Sequence, residues 1–376
     1  MPIHSRFNRI IFNFVLILAF TSCYLINRSG LYADLAKYID IFIAALLVIF
    51  ILFDTFVSSK IPKFFFIIYL MLIASIIPPL LLRGFFNVHW VYVIFFSEIV
   101  RLRYLPNMKM LNWIIFFCLI SIVIQMMLYH TIDGRPVLSI GDPNYSSYYI
   151  AILISLSFMY GKKLMAFIFS LLGMLMISRV FTIWGLIFFG LIFFYKVLHK
   201  MPRLNSLAYL IILVCGPLLF SYIFIQNIPE PSVTYISDYS RLSTFTDKSN
   251  FDRALANIYY IGYVFDSPMS LITGVDVNDY TENIFYNTPH ASIYATVFNY
   301  GILFLIAEMY LFKKNISSWI DNYFCYAFLI SWLIWQCFLG GVLFGPQIII
   351  LGVIINKSLT IKLTPKNHIL RNYVTK

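Results

Sequence analysis

Five positions combine residue type and spacing in a way that could carry chemistry: His290, Arg179, Arg253, Asp142 and Asn144. Thr288-Pro289-His290 has the form of a helix opening, with Thr at the cap, Pro at the first helical position and His next. The positive end of a helix lowers an imidazole's pKa, so His290 is expected to be neutral near pH 7 and able to accept a proton. Ser249-Asn250-Phe251-Asp252 matches a capping box and predicts a helix to about Phe265, with Phe251, Leu255, Ile258 and Tyr259 as its apolar face. Arg253 then falls in the first turn, where a cation is disfavoured and an anion is welcome. An anion bound by Arg253 and the free backbone N–H groups would resolve that mismatch. Arg179, with Ser178, is the polar break in the long apolar run 164–198. Asp142-Pro143-Asn144 reads as a cap and first-position proline for another helix.

Each position also has a structural reading. Arg253 can pair with Asp252 or another loop carboxylate, and His290 can be a histidine satisfied at an interface. Arg179 can snorkel to a membrane surface. Asp142 and Asn144 can be nothing more than a helix opening. Asp276-Val277-Asn278-Asp279 reads as a turn rather than a cation site.

The elements that must position these residues are apolar blocks of membrane-spanning length. Hydrophobic residues make up 61% of 376 positions and charged residues 11%, against roughly 25% charged in soluble domains. The mean hydropathy is +0.85. Spans are expected near 10–26, 39–53, 64–82, 88–100, 111–128, 145–160, 164–177, 180–198, 207–225, 292–312, 319–339 and 342–356. The first follows Arg6 and Arg9 without a small-x-small cleavage site and is expected to be an uncleaved anchor. This predicts an all-α polytopic membrane protein with about twelve transmembrane helices. The membrane domain would comprise 1–225 and 290–376, separated by a large outer loop, 226–289, containing short helices.

The net charge of +11 suits a topology signal better than nucleic-acid binding, because Lys and Arg lie in short turns between apolar blocks. With a cytoplasmic N-terminus, 19 of the 27 basic residues fall inside, and every inside segment holds at least two. Both termini are then cytoplasmic. The outer loop of 64 residues carries eight of the sixteen acidic residues and is rich in Tyr, Ile and Phe, so it should fold as a cap. The five cysteines lie in apolar segments without a CxxC pair and read as small hydrophobes. There is no Walker A motif, nucleophile elbow or His-Glu-x-x-His, and no Asp-x-Asp in the first outer loop.

Thr288-Pro289-His290-Ala291 through Gly301-Ile302-Leu303 resembles the His-Asn-x-x-Leu…Gly-x-x-Gly entry helix of the O-antigen polymerase and ligase superfamily, with Ala291 in place of Asn. Ile177-Ser178-Arg179 resembles its Ser-Arg at an outer helix end. Gly141-Asp142-Pro143-Asn144-Tyr145 is similar to its Asp-Pro-Asn before a span. Arg253 through Gly274-Val275-Asp276 fits its loop helix and Pro…Gly-x-Gly turn, with Pro268 present and Asp276 replacing the second glycine. The resemblance covers roughly 140–312, and the order of these short motifs is its stronger signal.

The resemblance implies metal- and cofactor-independent glycan transfer at the periplasmic face of a bacterial inner membrane. The donor would be an undecaprenyl-diphosphate-linked oligosaccharide and the acceptor a sugar hydroxyl. His290 would be the catalytic base, of near-neutral pKa, with Arg179 and Arg253 on the diphosphate. Asp142 and Asn144 would belong to the substrate site, and loop tyrosines (Tyr235, Tyr239, Tyr259, Tyr260, Tyr280, Tyr286) would offer faces for sugars. Membrane lipids and a chain-length regulator protein are the other implied partners; nucleic acid is not. The favoured activity is repeat-unit polymerase, with ligation to lipid A-core as the alternative. A lipid-linked oligosaccharide flippase is the rival from another class, but short loops and a charged cavity would be expected of it.

Overall fold

A computed structural model describes residues 3–25, 33–58, 63–84, 89–131, 134–198, 205–227, 248–339 and 346–361. Tyr235 and Tyr239 lie outside these residues, as does the 228–247 part of the outer loop. The chain is helical. In order come α1 (Ile3–Phe20) with a π-helical continuation (Thr21–Leu25), α2 (Ala33–Ser58), α3 (Lys63–Arg83), α4 (His89–Leu102), α5 (Met108–Leu128) and α6 (Pro143–Met159). Then come α7 (Lys163–Leu175), α8 (Arg179–Phe193), α9 (Tyr195–Leu198), α10 (Ser206–Asn227), α11 (Lys248–Asp266), α12 (Ser270–Thr273) and α13 (Val277–Asn283). The last four are α14 (Ser292–Tyr300), α15 (Ile302–Asp321), α16 (Tyr323–Phe338) and α17 (Gln347–Thr360). Among the described residues there is no strand, only an isolated bridge between His130 and Pro136.

Helix α6 is buried at every position from Ser146 to Ser157, and α17 from Gln347 to Asn356. Helices apolar on all sides belong at the centre of a bundle, and here α17 packs on α4 and α6. Close approach rather than hydrophobic transfer must hold such a centre together in lipid. Gly352 permits it: a Cβ there would lie 3.1 Å from Ile99 Cγ2 and 3.3 Å from Phe96 Cδ2. The buried carboxylate of Glu98 accepts from Arg101 Nε at 2.8 Å and Nη2 at 2.5 Å, and from the Tyr69 hydroxyl. It is therefore not left as an uncompensated charge.

Lys63–Arg83, Met108–Leu128 and Leu207–Gln226 are long and apolar enough to cross a membrane; two are one-third buried and the third less. Their outward faces carry Leu70, Ile73, Ile77, Trp113, Phe117, Met127, Ile211 and Leu219. Apolar belts of this extent suit lipid and not water, as a membrane protein requires. Shorter apolar helices fill further expected blocks, including Arg9–Leu25, Lys163–Leu175, Arg179–Phe193 and Tyr323–Phe338.

Two expectations are corrected. The apolar block at 292–312 is not one helix: Gly301, at φ +82°, breaks it into α14 and α15. The break fits beneath α12, because a Cβ on Gly301 would run into the Ile272 carbonyl. The second correction concerns the loop helix α11. It begins at Lys248, so Ser249 lies inside the first turn and is not its cap. Phe251 and Leu255 pack on α10 as expected, but the buried face runs through Ala254, Ala256, Asn257 and Tyr260, while Tyr259 is 47% exposed. Packing against Phe224 and Ile225 of α10 sets that rotation.

Candidate functional site

Asp142 caps α6 as expected: Oδ1 accepts from Asn144 N at 2.7 Å and Tyr145 N at 2.9 Å, with Pro143 at the first helical position. Ser178 caps α8, its Oγ accepting from Phe181 N at 3.3 Å. The same hydroxyl donates to Asn144 Oδ1 at 3.0 Å, tying the starts of α6 and α8 together. Arg179 is the first residue of α8 and partly exposed. The turn before it is tight. Ile177 holds φ +49°, a left-handed conformation that a β-branched residue adopts only under constraint. The Phe181 ring lies against Gly173 where any side chain would collide, so α7 and α8 approach closely beside the turn at 176–178.

Helix α11 brings Arg253 and Asn257 onto one face, four residues apart. Asn257 is buried and bonds through both ends of its amide. Its Oδ1 accepts from His290 N at 3.1 Å and Ala291 N at 3.4 Å, and its Nδ2 donates to the buried Ser221 Oγ of α10 at 3.1 Å. The expected opening at Thr288 is therefore replaced. Helix α14 starts at Ser292, without a side-chain cap of its own, and Asn257 satisfies the N–H groups just before it. His290 stands in an irregular segment ahead of the helix and not in its first turn.

Asn287 Oδ1 accepts from Thr288 N at 3.1 Å, so that atom is the amide oxygen. Its 3.2 Å contact with His290 is accordingly a donation from Nε2–H, and Nδ1 keeps the lone pair. Burial, and then the Arg253 guanidinium, push the His290 imidazole down to about 3. The ring is neutral, as expected, but far below a near-neutral pKa, and for a different reason than a helix end.

Arg253 and Asp142 both act electrostatically on the Tyr145 phenol at the start of α6. Arg253 therefore lies near enough to act on both His290 and the start of α6, and the Ser178–Asn144 bond joins that start to α8, of which Arg179 is the first residue. Among the described residues Arg253 makes no ion pair. The Tyr286 phenol is raised to about 12, first by desolvation and then by the adjacent Asp252 carboxylate. Asp276 caps α13, accepting from Asn278 N at 2.9 Å and Asp279 N at 3.3 Å, which accounts for that acidic pair. Among the described residues no group of three His, Cys, Asp or Glu side chains comes together.

Sequence reasoning missed Asn257, Ser221, Asn287 and Tyr145. Asn257 had a signal: it lies one helical turn beyond Arg253, at a polar position within an apolar stretch. Ser221 and Asn287 had none, because their importance comes from partners distant in the chain.

The arrangement offers a neutral imidazole with an available Nδ1, a guanidinium beside it, and two helix N-termini held together with Arg179 on one of them. It can accept a proton next to a bound anion. No protein-family model matches this chain, and no curated protein matches it.

Proposed function

We propose that this chain is a twelve-span glycosyltransferase of the O-antigen polymerase type, with the 226–289 loop as a periplasmic cap. Repeat units would pass from an undecaprenyl-diphosphate carrier to a sugar hydroxyl of a second lipid-linked unit. The observation that supports this reading is that Arg253 acts on both His290 and Tyr145, beside the Asp142 cap, while Asn144 and Ser178 tie the starts of α6 and α8 together. Those are the positions at which the chain resembles that superfamily.

In this reading the acceptor hydroxyl gives its proton to His290 Nδ1 as its oxygen bonds to the anomeric carbon. The bond from that carbon to the phosphate oxygen breaks, and its electron pair leaves on the diphosphate. Arg253 and Arg179 stabilise the negative charge by forked contacts. An imidazole near 3 is a weak base, but the donor's diphosphate cancels the field of Arg253 as it binds. The same event that places the donor therefore offsets the lesser of the two causes of that low pKa, the field of Arg253, while burial, the larger, remains.

Purified protein given undecaprenyl-diphosphate-linked repeat units, without added metal, should build a ladder of longer lipid-linked glycans. His290→Ala should insert normally and bind donor but extend it ~10²–10⁴-fold more slowly. A requirement for lipid A-core as acceptor would make it the ligase. Movement of donor across the bilayer with no new glycosidic bond would refute the enzyme reading. For the topology, external thiol reagents should modify Asn283→Cys but not Lys109→Cys or Lys313→Cys in a background without native cysteines.

A further inference from the structure

The face of α11 turned away from α10 forms one wall of a cleft of about 290 Å³, lined by Ile258, Tyr259, Gly262, Tyr263, Asp266 and Ile284. That is the lower end of small-molecule sites, ~300 Å³ and upward, and suits one sugar ring better than a lipid chain. The aromatic walls are held from behind. Tyr259 stacks on Phe285 with ring centroids 4.7 Å apart and planes 11° apart, and Tyr263 meets Tyr280 edge-on at 5.4 Å. Held this way, Tyr259 is a rigid face with its other side open.

Gly262 is the second observation. It lies in the interior of a nineteen-residue helix, where glycine weakens the helix relative to alanine, and a Cβ there would meet nothing within 4 Å. No packing within the described residues requires a glycine at this point. Its bare backbone is exposed on the cleft wall, so a large side chain placed there would project into the cleft. Asp266 supplies the polar end, a carboxylate that accepts hydrogen bonds from hydroxyls and repels phosphate.

We infer that this cleft is a saccharide subsite, in which a pyranose ring lays its C–H face on Tyr259 and donates a hydroxyl to Asp266. The inference rests on the reading that this chain handles glycans. Gly262 stands nine residues from Arg253, about 14 Å along the helix axis. At 3.6 residues per turn those nine residues also carry Gly262 to the opposite side of α11 from Arg253, so the cleft is a site separate from the one that would hold the diphosphate.

The test uses the full chain in lipid nanodiscs. The probe is short oligosaccharide released by mild acid from the surface glycan of cells carrying this gene. Saturation-transfer NMR should show sugar protons contacting the protein. Gly262→Trp, which fills the cleft from its open wall, should reduce that signal at least tenfold, and Gly262→Ala should leave it intact. Asp266→Ala, an exposed change that spares the fold, should weaken binding roughly tenfold or more. His290→Ala should bind the probe as the wild type does while failing to extend glycan. Wild-type protein that gives no saturation transfer would overturn the inference, as would unchanged binding in Asp266→Ala together with a folded Gly262→Trp. Binding that depends on Gly262 and Asp266 in a protein that forms no glycosidic bond would support the cleft and refute the polymerase.

Discussion

Asn257 should control the placement and the protonation of His290 separately, and two substitutions divide the effects. Asn257→Ala strips the acceptor from His290 N and Ala291 N and the donor from Ser221 Oγ, all of them buried or partly so. Each polar group so orphaned costs about 1–3 kcal/mol, and the 3.4 Å bond to Ala291 counts least. The two bonds to His290 N and Ala291 N together should loosen the 288–291 segment by ~2–4 kcal/mol. A reacting group displaced by ~1 Å typically loses about 10²-fold in rate, so kcat should fall by at least that much. Asn257→Asp keeps the shape. Its carboxylate accepts both N–H groups, and the Ser221 hydroxyl can turn to donate, so it stays ionised and the segment stays in place.

The new negative charge then opposes the field of Arg253 and raises the imidazole pKa. Catalysis needs neutral His290, whose pKa is pushed below its ordinary value in the free wild type. The acid limb of wild-type kcat/KM should therefore lie below pH 6.5. In Asn257→Asp it should move upward, so that activity is lost at a higher pH. The assay is glycan extension by purified protein across the acid range, with thermal melting recorded for each variant. Wild-type kcat in Asn257→Ala would refute the placement argument. An unmoved acid limb in a normally folded Asn257→Asp would refute the electrostatic one.

Other perturbations follow from the same geometry. Lysine at Arg253 or Arg179 keeps the charge but loses the fork, so either variant should reduce transfer by about 10–100-fold at near-normal abundance; full activity in both would leave these arginines to snorkelling. Gly301→Ala places a side chain at φ +82° against the Ile272 carbonyl, which should cost about 1–3 kcal/mol or more and appear as a lower melting temperature. An unchanged melting temperature would contradict the tight contact of α12 with the α14–α15 break. His290 also predicts a stability profile. Its folded pKa is about 3, below the ordinary 6.5, so between those values the unfolded chain binds a proton that the folded protein refuses. Stability should fall as pH drops below 6.5, by at most about 1.4 kcal/mol per unit. His290→Gln should flatten that slope; an equal slope in the variant would place the acid sensitivity elsewhere.

The sequence by itself determined what depends on near neighbours. Three apolar blocks became helices long enough to cross a membrane and others became shorter apolar helices, and Asp142 with Pro143 opened α6 because capping is settled within three residues. A helix in the outer loop was legible from its periodicity to within a residue or two. Its rotation was not: Tyr259 turned outward and Asn257 inward because α10 selected which stripe to cover. Packing also moved the start of α14, since an amide from another helix satisfied the N–H groups that Thr288 was expected to cap. The positive φ of Gly301 came from the carbonyl of Ile272, nearly thirty residues away. The environment of His290 is the clearest case. A local reading gave a neutral ring, but the depth of its pKa comes from desolvation and from Arg253, which are sums over whatever the fold brings near. Helix, cap and turn are set over a few residues of chain. Burial, charge proximity and the linking of the starts of α6 and α8 are set by tertiary packing.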